Sequence, residues 1–187
     1  MIMNNSELKA EFRNLKLRVI NGEIDFSLKQ KAIDKLENEL EFIKNTFSDD
    51  IISGSISLKL FGLINRDMND IDIIIKDKSR YTSYSKDSYD DELSENRLGY
   101  KSFDYKKGFF SRTKKYEVDF FEDSGSSYTE LKHGNKVLKI HNPLEVIDYK
   151  MTMAIGSTSS SKHRQDLTDI FTHISLFDYT NNYLGSS

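Results

Sequence analysis

Three aspartates are the residues of this sequence with the clearest capacity for chemistry. Asp70 and Asp72 lie two positions apart in the β-branched segment 70–75, and a strand there would project both carboxylates from one face. Asp119 lies in a second predicted strand, residues 116–122. If the two strands are neighbours, the three carboxylates form one cradle. Like charges repel, so the pattern predicts a site for two Mg²⁺ ions bound by all three aspartates.

An isolated Asp-x-Asp pair also fits a simpler interpretation, in which Asp70 belongs to a turn and Asp72 is an exposed strand position. A second motif bears on this choice. Ser53-Gly54-Ser55 follows a short predicted strand and precedes a predicted helix over residues 56–64. Free backbone N–H groups, a favourable helix dipole and a residue without Cβ are suited to holding a phosphate. An ordinary Gly/Ser turn is the alternative.

These motifs together resemble the DNA polymerase β-type nucleotidyltransferase superfamily, over about residues 51–174. The resemblance is closest to the minimal bacterial branch that includes abortive-infection toxin-type transferases. Ser53 stands where that branch has a first Gly, and Met68 where it has a small hydroxyl residue. The matching residues and segments are Ser53-Gly54-Ser55, Leu58, Gly62, Arg66, Asp70-Ile71-Asp72 and the segments 117–121, 141–154 and 162–170.

The resemblance implies an enzyme that moves a nucleoside monophosphate from a nucleoside triphosphate to a hydroxyl, releasing pyrophosphate. The acceptor would be an RNA end such as that of tRNA, a protein or a small molecule. Asp70 and Asp72 would hold both Mg²⁺ ions. Asp119 would hold the catalytic ion and accept the proton of the attacking hydroxyl. The implied nucleotide-binding residues are Ser53, Gly54, Ser55, Arg66, Lys150 and Asp166.

Two of these residues also have ordinary interpretations. Lys150 is implied to neutralise the triphosphate, but it also fits a solvated helix lysine. Asp166 is implied to contact the nucleotide or Lys150, and with Asp169, three positions later, it also fits a surface charge network. At the level of the whole chain, the alternative is a catalytically inactive binding or structural module that keeps the nucleotidyltransferase fold.

Composition and the absence of several motifs exclude other kinds of functional site. The chain has 187 residues, a net charge of −3 and no Cys, which excludes disulfides, thiol nucleophiles and Cys-ligated metals. Its four His lack metal-site spacing, and the P-loop, Gly-x-Gly-x-x-Gly and Gly-x-Ser-x-Gly motifs are absent. Nothing resembles a signal peptide or a membrane span, so a cytoplasmic protein without a membrane partner is expected.

The hydrophobic pattern predicts an α/β (α+β) fold, in which helices flank a small mixed sheet. We expect an N-terminal helical segment at residues 1–48, a nucleotidyltransferase-like domain at 49–178 and a tail at 179–187. One helix ending at Asn21-Gly22 and a second over residues 27–47, capped by Ser27, are predicted in the first segment. Asn142 and Pro143 predict the start of a helix running to residue 154, and a last helix is expected over residues 162–177.

The middle of the chain predicts a hairpin and an insertion. Strand-like pieces lie at residues 99–104, 109–112 and 116–122, with a turn at Gly108. Residues 79–96 are polar and are expected to form a surface excursion. Aromatic residues are frequent here, and packing is favoured over base stacking for them. A basic run that could reach a short tRNA end comprises Lys101, Lys106, Lys107, Arg112, Lys114 and Lys115.

Overall fold

The protein is described here by a computed structural model that covers residues 1–68, 70–77, 79, 97–156 and 160–180, with side chains to residue 175. Its elements are α1 (Asn5–Ile20), α2 (Gln30–Lys35), α3 (Glu37–Thr46), β1 (Ile51–Ser53), α4 (Gly54–Leu60), β2 (Ile71–Ile75), β3 (Arg97–Tyr105), β4 (Lys114–Glu122), β5 (Tyr128–His133), β6 (Lys136–His141), α5 (Pro143–Ile155) and α6 (Ser161–Thr180). Apart from Ser79, the predicted insertion lies outside the described residues, as does the chain beyond residue 180.

One six-stranded mixed sheet organises the fold, in the order β3-β4-β2-β1-β6-β5. β2 runs parallel to β4 and antiparallel to β1, while β1 runs parallel to β6. The register sets Asp72 opposite Asp119 on β4 and opposite Ser53 on β1. The predicted α/β class is therefore confirmed, with helices flanking a mixed sheet.

The core lies between the sheet and the helices that cover it. Ile71, Ile73 and Ile75 of β2 are buried, as alternation along a strand requires. The N-terminal helix joins the same hydrophobic cluster as α5 and α6. The backbone N–H of Met3 donates to Thr168 Oγ1 on α6 at 3.0 Å, which ties the start of the chain to the last helix. No helix among the described residues has the length and apolar composition needed to cross a membrane.

The prediction of one helix over residues 27–47 is wrong, because the helix is divided at Leu36. Leu36 has φ −100° and ψ 17°, and it both ends α2 and begins α3. Ser27 does not cap it; the N-cap position is Lys29, which has no side-chain capping bond. Lys29 N–H instead donates to the carbonyl of Leu60 at 2.9 Å, so a contact with the end of α4 fixes where α2 begins.

The strand predicted at residues 109–112 is also wrong. The β3–β4 register pairs Tyr105 with Lys114, which makes residues 106–113 the hairpin loop. A strand that the sequence did not indicate, β5, forms a second hairpin with β6 through the turn at Gly134. The helix starting at Pro143 is confirmed, and Asn142 Oδ1 caps it by accepting from Leu144 N–H at 3.0 Å.

Candidate active site

The three aspartates face one open cleft. Asp70 precedes β2, Asp72 is the second residue of β2, and Asp119 is its register partner on β4. All three line the cleft together with Gly54 and Lys150. Parallel neighbours in register carry their side chains on the same face of a sheet, so the β2–β4 pairing brings the carboxylates together.

The carboxylate oxygens do not have the mutual spacing of a preformed metal site. Among the described residues, one group of three ligand atoms lies within 4.8 Å of one another, and it comprises Glu37, Glu41 and His133 outside the cleft. Asp119 Oδ1 accepts a hydrogen bond from Arg97 Nη2 at 2.9 Å. The three aspartates therefore share a cleft, while one of them is paired with an arginine.

Burial and the neighbouring carboxylates raise the pKa values of Asp72 and Asp70. Burial, followed by the charges of Asp119 and Asp70, raises the pKa of Asp72 to about 7. Partial burial of its carboxyl and the charge of Asp119 also raise the pKa of Asp70. Three carboxylates thus lie in one cleft, with Arg97 paired to Asp119 and Lys162 also among the lining residues. Carboxylate oxygens are preferred ligands of hard divalent cations, so this donor set fits Mg²⁺.

Gly54 allows the Ser53-Gly54-Ser55 loop to approach this cluster. Its φ of +65° lies in the left-handed region, and an added Cβ would lie 1.7 Å from Asp72 Oδ2. The loop and Asp72 therefore occupy adjoining space that only a glycine permits. No residue lies between strand and helix here, because β1 ends at Ser53 and α4 begins at Gly54.

A largely buried network of opposite charges contributes Arg66 and Lys150 to the lining of the cleft. Arg66 Nε and Nη2 donate to the two carboxylate oxygens of Asp166 at 2.6 and 2.7 Å. Lys150 Nζ donates to Asp166 Oδ2 at 2.9 Å. The side chains of Lys150 and Asp166 are only 3% and 2% exposed. A solvated Lys150 and a surface network around Asp166 are therefore both excluded, and the exposed Asp169 pairs with Gln165 instead.

The charges in this network shift each other's pKa. Burial would raise the pKa of Asp166, but the hydrogen bond from Arg66 and the charge of Lys150 outweigh it and lower the value to about 2. Burial lowers the pKa of Lys150, and the charge of Asp166 opposes that change. One carboxylate thus serves two cations, and the network presents net positive charge to the cleft.

The two serines of the loop point to different partners. Ser55 Oγ accepts from Arg66 Nη2 at 2.9 Å and lies 3.4 Å from Lys150 Nζ, which joins it to the cationic side of the cleft. Ser53 Oγ lies 2.7 Å from His141 Nδ1 at the end of β6, and Ser53 does not line the cleft. Of the predicted nucleotide-binding residues, Gly54, Ser55, Arg66 and Lys150 line the cleft, whereas Ser53 and Asp166 do not.

Two residues of the cleft carry no signal in the sequence. Arg97 opens β3 directly after the insertion, and no motif marks it as a partner of Asp119. His163 Nδ1 lies 3.3 Å from Lys150 Nζ, and burial together with the charge of Lys150 lowers the pKa of His163 to about 4. The spacing of thirteen residues between Lys150 and His163 crosses from one helix to the next, so helical periodicity could not reveal it.

A scan of the chain against protein-family models finds no match, and neither curated proteins nor solved structures yield one. The cleft is lined by the three aspartates, which we call the acidic wall, and by Arg66 and Lys150, which we call the basic wall and which are joined through Asp166. Arg97 and Lys162 line the cleft as well.

Replacing Gly54 with Ala is expected to destabilise the protein more than an equivalent change at Gly22. Both glycines have positive φ, but an added Cβ meets nothing within 4 Å at Gly22. Gly22→Ala should incur the backbone cost alone, about 1–2 kcal/mol. Gly54→Ala should add about 1–3 kcal/mol because Asp72 must move. Urea unfolding measures both, and equal losses would show that Gly54 and Asp72 are not in contact.

His163 is expected to make stability depend on pH. The pKa of His163 in the folded protein, about 4, lies below the ordinary 6.5. Neutral His163 therefore contributes its full stability above pH 6.5, and this contribution is lost as pH falls toward 4. The loss should be about 1–2 kcal/mol for this partly buried group, and His163→Gln should remove it. Burial also lowers the pKa of His173, which lies outside the cleft, so His173→Gln should leave the loss caused by His163 in place. Parallel curves of unfolding free energy against pH for the wild type and His163→Gln would contradict the prediction.

Proposed function

We propose that the protein is a Mg²⁺-dependent nucleotidyltransferase that moves a nucleoside monophosphate from a nucleoside triphosphate to a hydroxyl group. The observation that carries the proposal is the charge division of the cleft. The three aspartates form the acidic wall, and Arg66 and Lys150 form the basic wall of the same cleft. The first wall suits divalent cations and the second suits a triphosphate. We place this reaction in the cytoplasm.

The residues of the acidic wall would hold the cations and orient the attack. Asp70 and Asp72 would bind both Mg²⁺ ions, and Asp119 would bind one of them. The bound ions would neutralise charge at the α-phosphorus and on the leaving pyrophosphate. The acceptor oxygen forms a bond to the α-phosphorus while the bond to the β-phosphate bridging oxygen breaks. Pyrophosphate leaves with that electron pair, and the acceptor proton passes to a carboxylate oxygen of Asp119.

The residues of the basic wall would bind the triphosphate. Lys150 has a single ammonium group in a fixed, buried position, which suits it to one phosphate oxygen. Ser55 lies between Arg66 and Lys150 and would add a hydroxyl donor at the start of α4. Asp166 would keep both cations in place rather than touch the nucleotide, since its two oxygens are already engaged. Gly54 would leave room for the phosphates beside Asp72.

A second candidate is a binding module that lacks catalysis, and one observation favours it. Arg97 already supplies a positive charge to Asp119, at the place where the metal would bind. The two functions differ in their need for divalent cations. A module stabilised by the Arg97–Asp119 pair would bind its partner without Mg²⁺, whereas the transferase requires Arg97 to release Asp119 when the cations bind.

Thermal unfolding with Mg²⁺ and each of the four ribonucleoside triphosphates tests the proposal. At about pH 8 the Asp72 carboxyl, whose pKa is about 7, is mostly ionised and ready to bind a cation. Nucleotide at about 100 times its Kd stabilises the folded protein by about 2.7 kcal/mol. This raises Tm by about 5–10 °C for a chain of this size.

Two variants make this test specific. Asp72→Asn should abolish the rise in Tm that Mg²⁺ and nucleotide produce together. Asp148→Asn, an exposed change on α5 outside the cleft, should leave that rise intact. A rise that persists in Asp72→Asn, or no rise with any triphosphate, would contradict the proposal.

A further inference from the structure

Two aromatic rings at the tip of the β3–β4 hairpin are exposed to solvent. Phe109 and Phe110 retain 86% and 97% of their accessible surface. Their centroids are 5.2 Å apart at an interplanar angle of 88°. Other aromatic residues of this hairpin, such as Phe103 and Tyr105, pack against Phe42 as the sequence favoured. Two adjacent, nearly bare phenyl rings have no role in the core of the protein.

The loop that carries these rings is strongly basic, although the chain as a whole has a net charge of −3. No acidic residue occurs between Tyr105 and Tyr116. Lys106 Nζ lies 5.5 Å from the centroid of the Phe109 ring. The exposed cations of this segment are Lys106, Lys107, Arg112, Lys114 and Lys115. We call the segment 106–115, with its two phenylalanines and five cations, the Phe–Lys tip.

A shallow groove leads from the base of the Phe–Lys tip toward the aspartates. Lys114 and Lys115 line this groove, and so does Asp70, which also lines the catalytic cleft. The groove itself has mixed charge because Glu39 and Glu117 also line it. Lys114 and Asp119 lie five positions apart on β4, a distance of about 17 Å along the strand. A flexible polymer of a few units would span this distance.

We propose that the Phe–Lys tip binds single-stranded nucleic acid. Unpaired bases stack on exposed aromatic side chains, at about 1–3 kcal/mol per base, and cations neutralise the neighbouring phosphates. A duplex would leave the rings unused, since its bases are already stacked. The binding does not depend on catalysis. The further statement that the bound strand is the acceptor rests on the proposed transferase function.

The continuity of the cations favours nucleic acid over an anionic membrane. A lipid surface would contact the end of the loop, where Phe109 and Phe110 could insert. Lys114 and Lys115 lie beyond the loop, on the first residues of β4, and line the groove that reaches Asp70. A strand that follows the groove uses these cations as well as the rings.

Fluorescence anisotropy with labelled single-stranded RNA and DNA of about 12 nucleotides tests the proposal. Phe109→Ala with Phe110→Ala should weaken binding about 10- to 100-fold. Lys106→Gln with Lys107→Gln should lower the slope of log affinity against log salt by about 1.4, between about 50 and 200 mM salt. Matched controls elsewhere are Ile20→Ala, which removes another exposed apolar side chain, and Lys9→Gln with Lys31→Gln. These controls should bind as the wild type does.

Three results would overturn the proposal. The first is equal binding by the Phe109/Phe110 variant and the wild type. The second is stronger binding of a duplex of the same length. The third is Phe-dependent binding to phosphatidylserine-containing vesicles without binding of either oligonucleotide. Measuring binding and transfer side by side in the wild type separates the two proposals. Binding without any transfer in the wild type would remove the transferase function and leave the Phe–Lys tip as proposed.

Discussion

Replacing Asp119 with Asn is expected to lower the rate of nucleotidyl transfer by about 10³-fold or more, which corresponds to about 4 kcal/mol of activation free energy. The change keeps the shape of the side chain but removes a negative ligand and the proposed proton acceptor. The Asp119 side chain is 19% exposed and lies on a strand whose neighbours stay in place, so the fold should be retained. Transfer from an α-labelled nucleoside triphosphate measures the rate.

The control for this variant is Asp148→Asn on α5. Asp148 is exposed and lines neither the cleft nor the groove. The Asp148→Asn variant should retain wild-type transfer. If Asp119→Asn also retains it while unfolding at an unchanged temperature, Asp119 is neither a metal ligand nor a proton acceptor. The mechanism proposed here would then be wrong.

Replacing Lys150 with Met is expected to destabilise the protein by about 3–5 kcal/mol, because Asp166 loses one of its two cations inside the core. Both side chains are almost fully buried, so water cannot replace the lost ammonium group. Arg66 would still contact Asp166, but its side chain is 30% exposed and cannot occupy the space of Lys150. Urea unfolding at neutral pH measures the loss.

Two further variants separate charge from packing in that result. Lys31→Met, at an exposed position on α2, should change stability by less than about 0.5 kcal/mol. Lys150→Met combined with Asp166→Asn should recover part of the loss, because the buried carboxylate that lost one of its two cations is then removed. If Lys150→Met is as stable as Lys31→Met, then Lys150 and Asp166 do not form a buried ion pair.

Local patterns explain why part of this arrangement could be predicted from the sequence. A spacing of two along a strand places Asp70 and Asp72 on one face wherever β2 lies in the fold. Capping chemistry at Asn142 and Pro143 likewise depends on adjacent residues, and the start of α5 follows from it. The mixed sheet and its flanking helices could be predicted in the same way, because alternation along strands and helical periodicity mark most of the elements.

Contacts between distant segments explain what the sequence could not reveal. The break at Leu36 accompanies the bond between Lys29 and the carbonyl of Leu60, which exists only in the folded chain. Arg97 and Asp119 meet because β3 and β4 pair, and nothing near either residue signals the other. Residues 109–112 have a strand-like composition, yet they form a loop because the strands pair from Tyr105 and Lys114 onward.

The most direct test of the transferase function compares nucleoside triphosphates labelled at the α- and γ-phosphates, incubated with the protein, Mg²⁺ and a cell lysate. The α label should appear on a macromolecule or small acceptor, while the γ label should be released as pyrophosphate. Neither the α-label transfer nor the pyrophosphate release should exceed that of the lysate alone when Asp72→Asn replaces the wild type. Transfer of the γ label, or the absence of α-label transfer with all four ribonucleotides, would contradict the assignment of this cleft to nucleotidyl transfer.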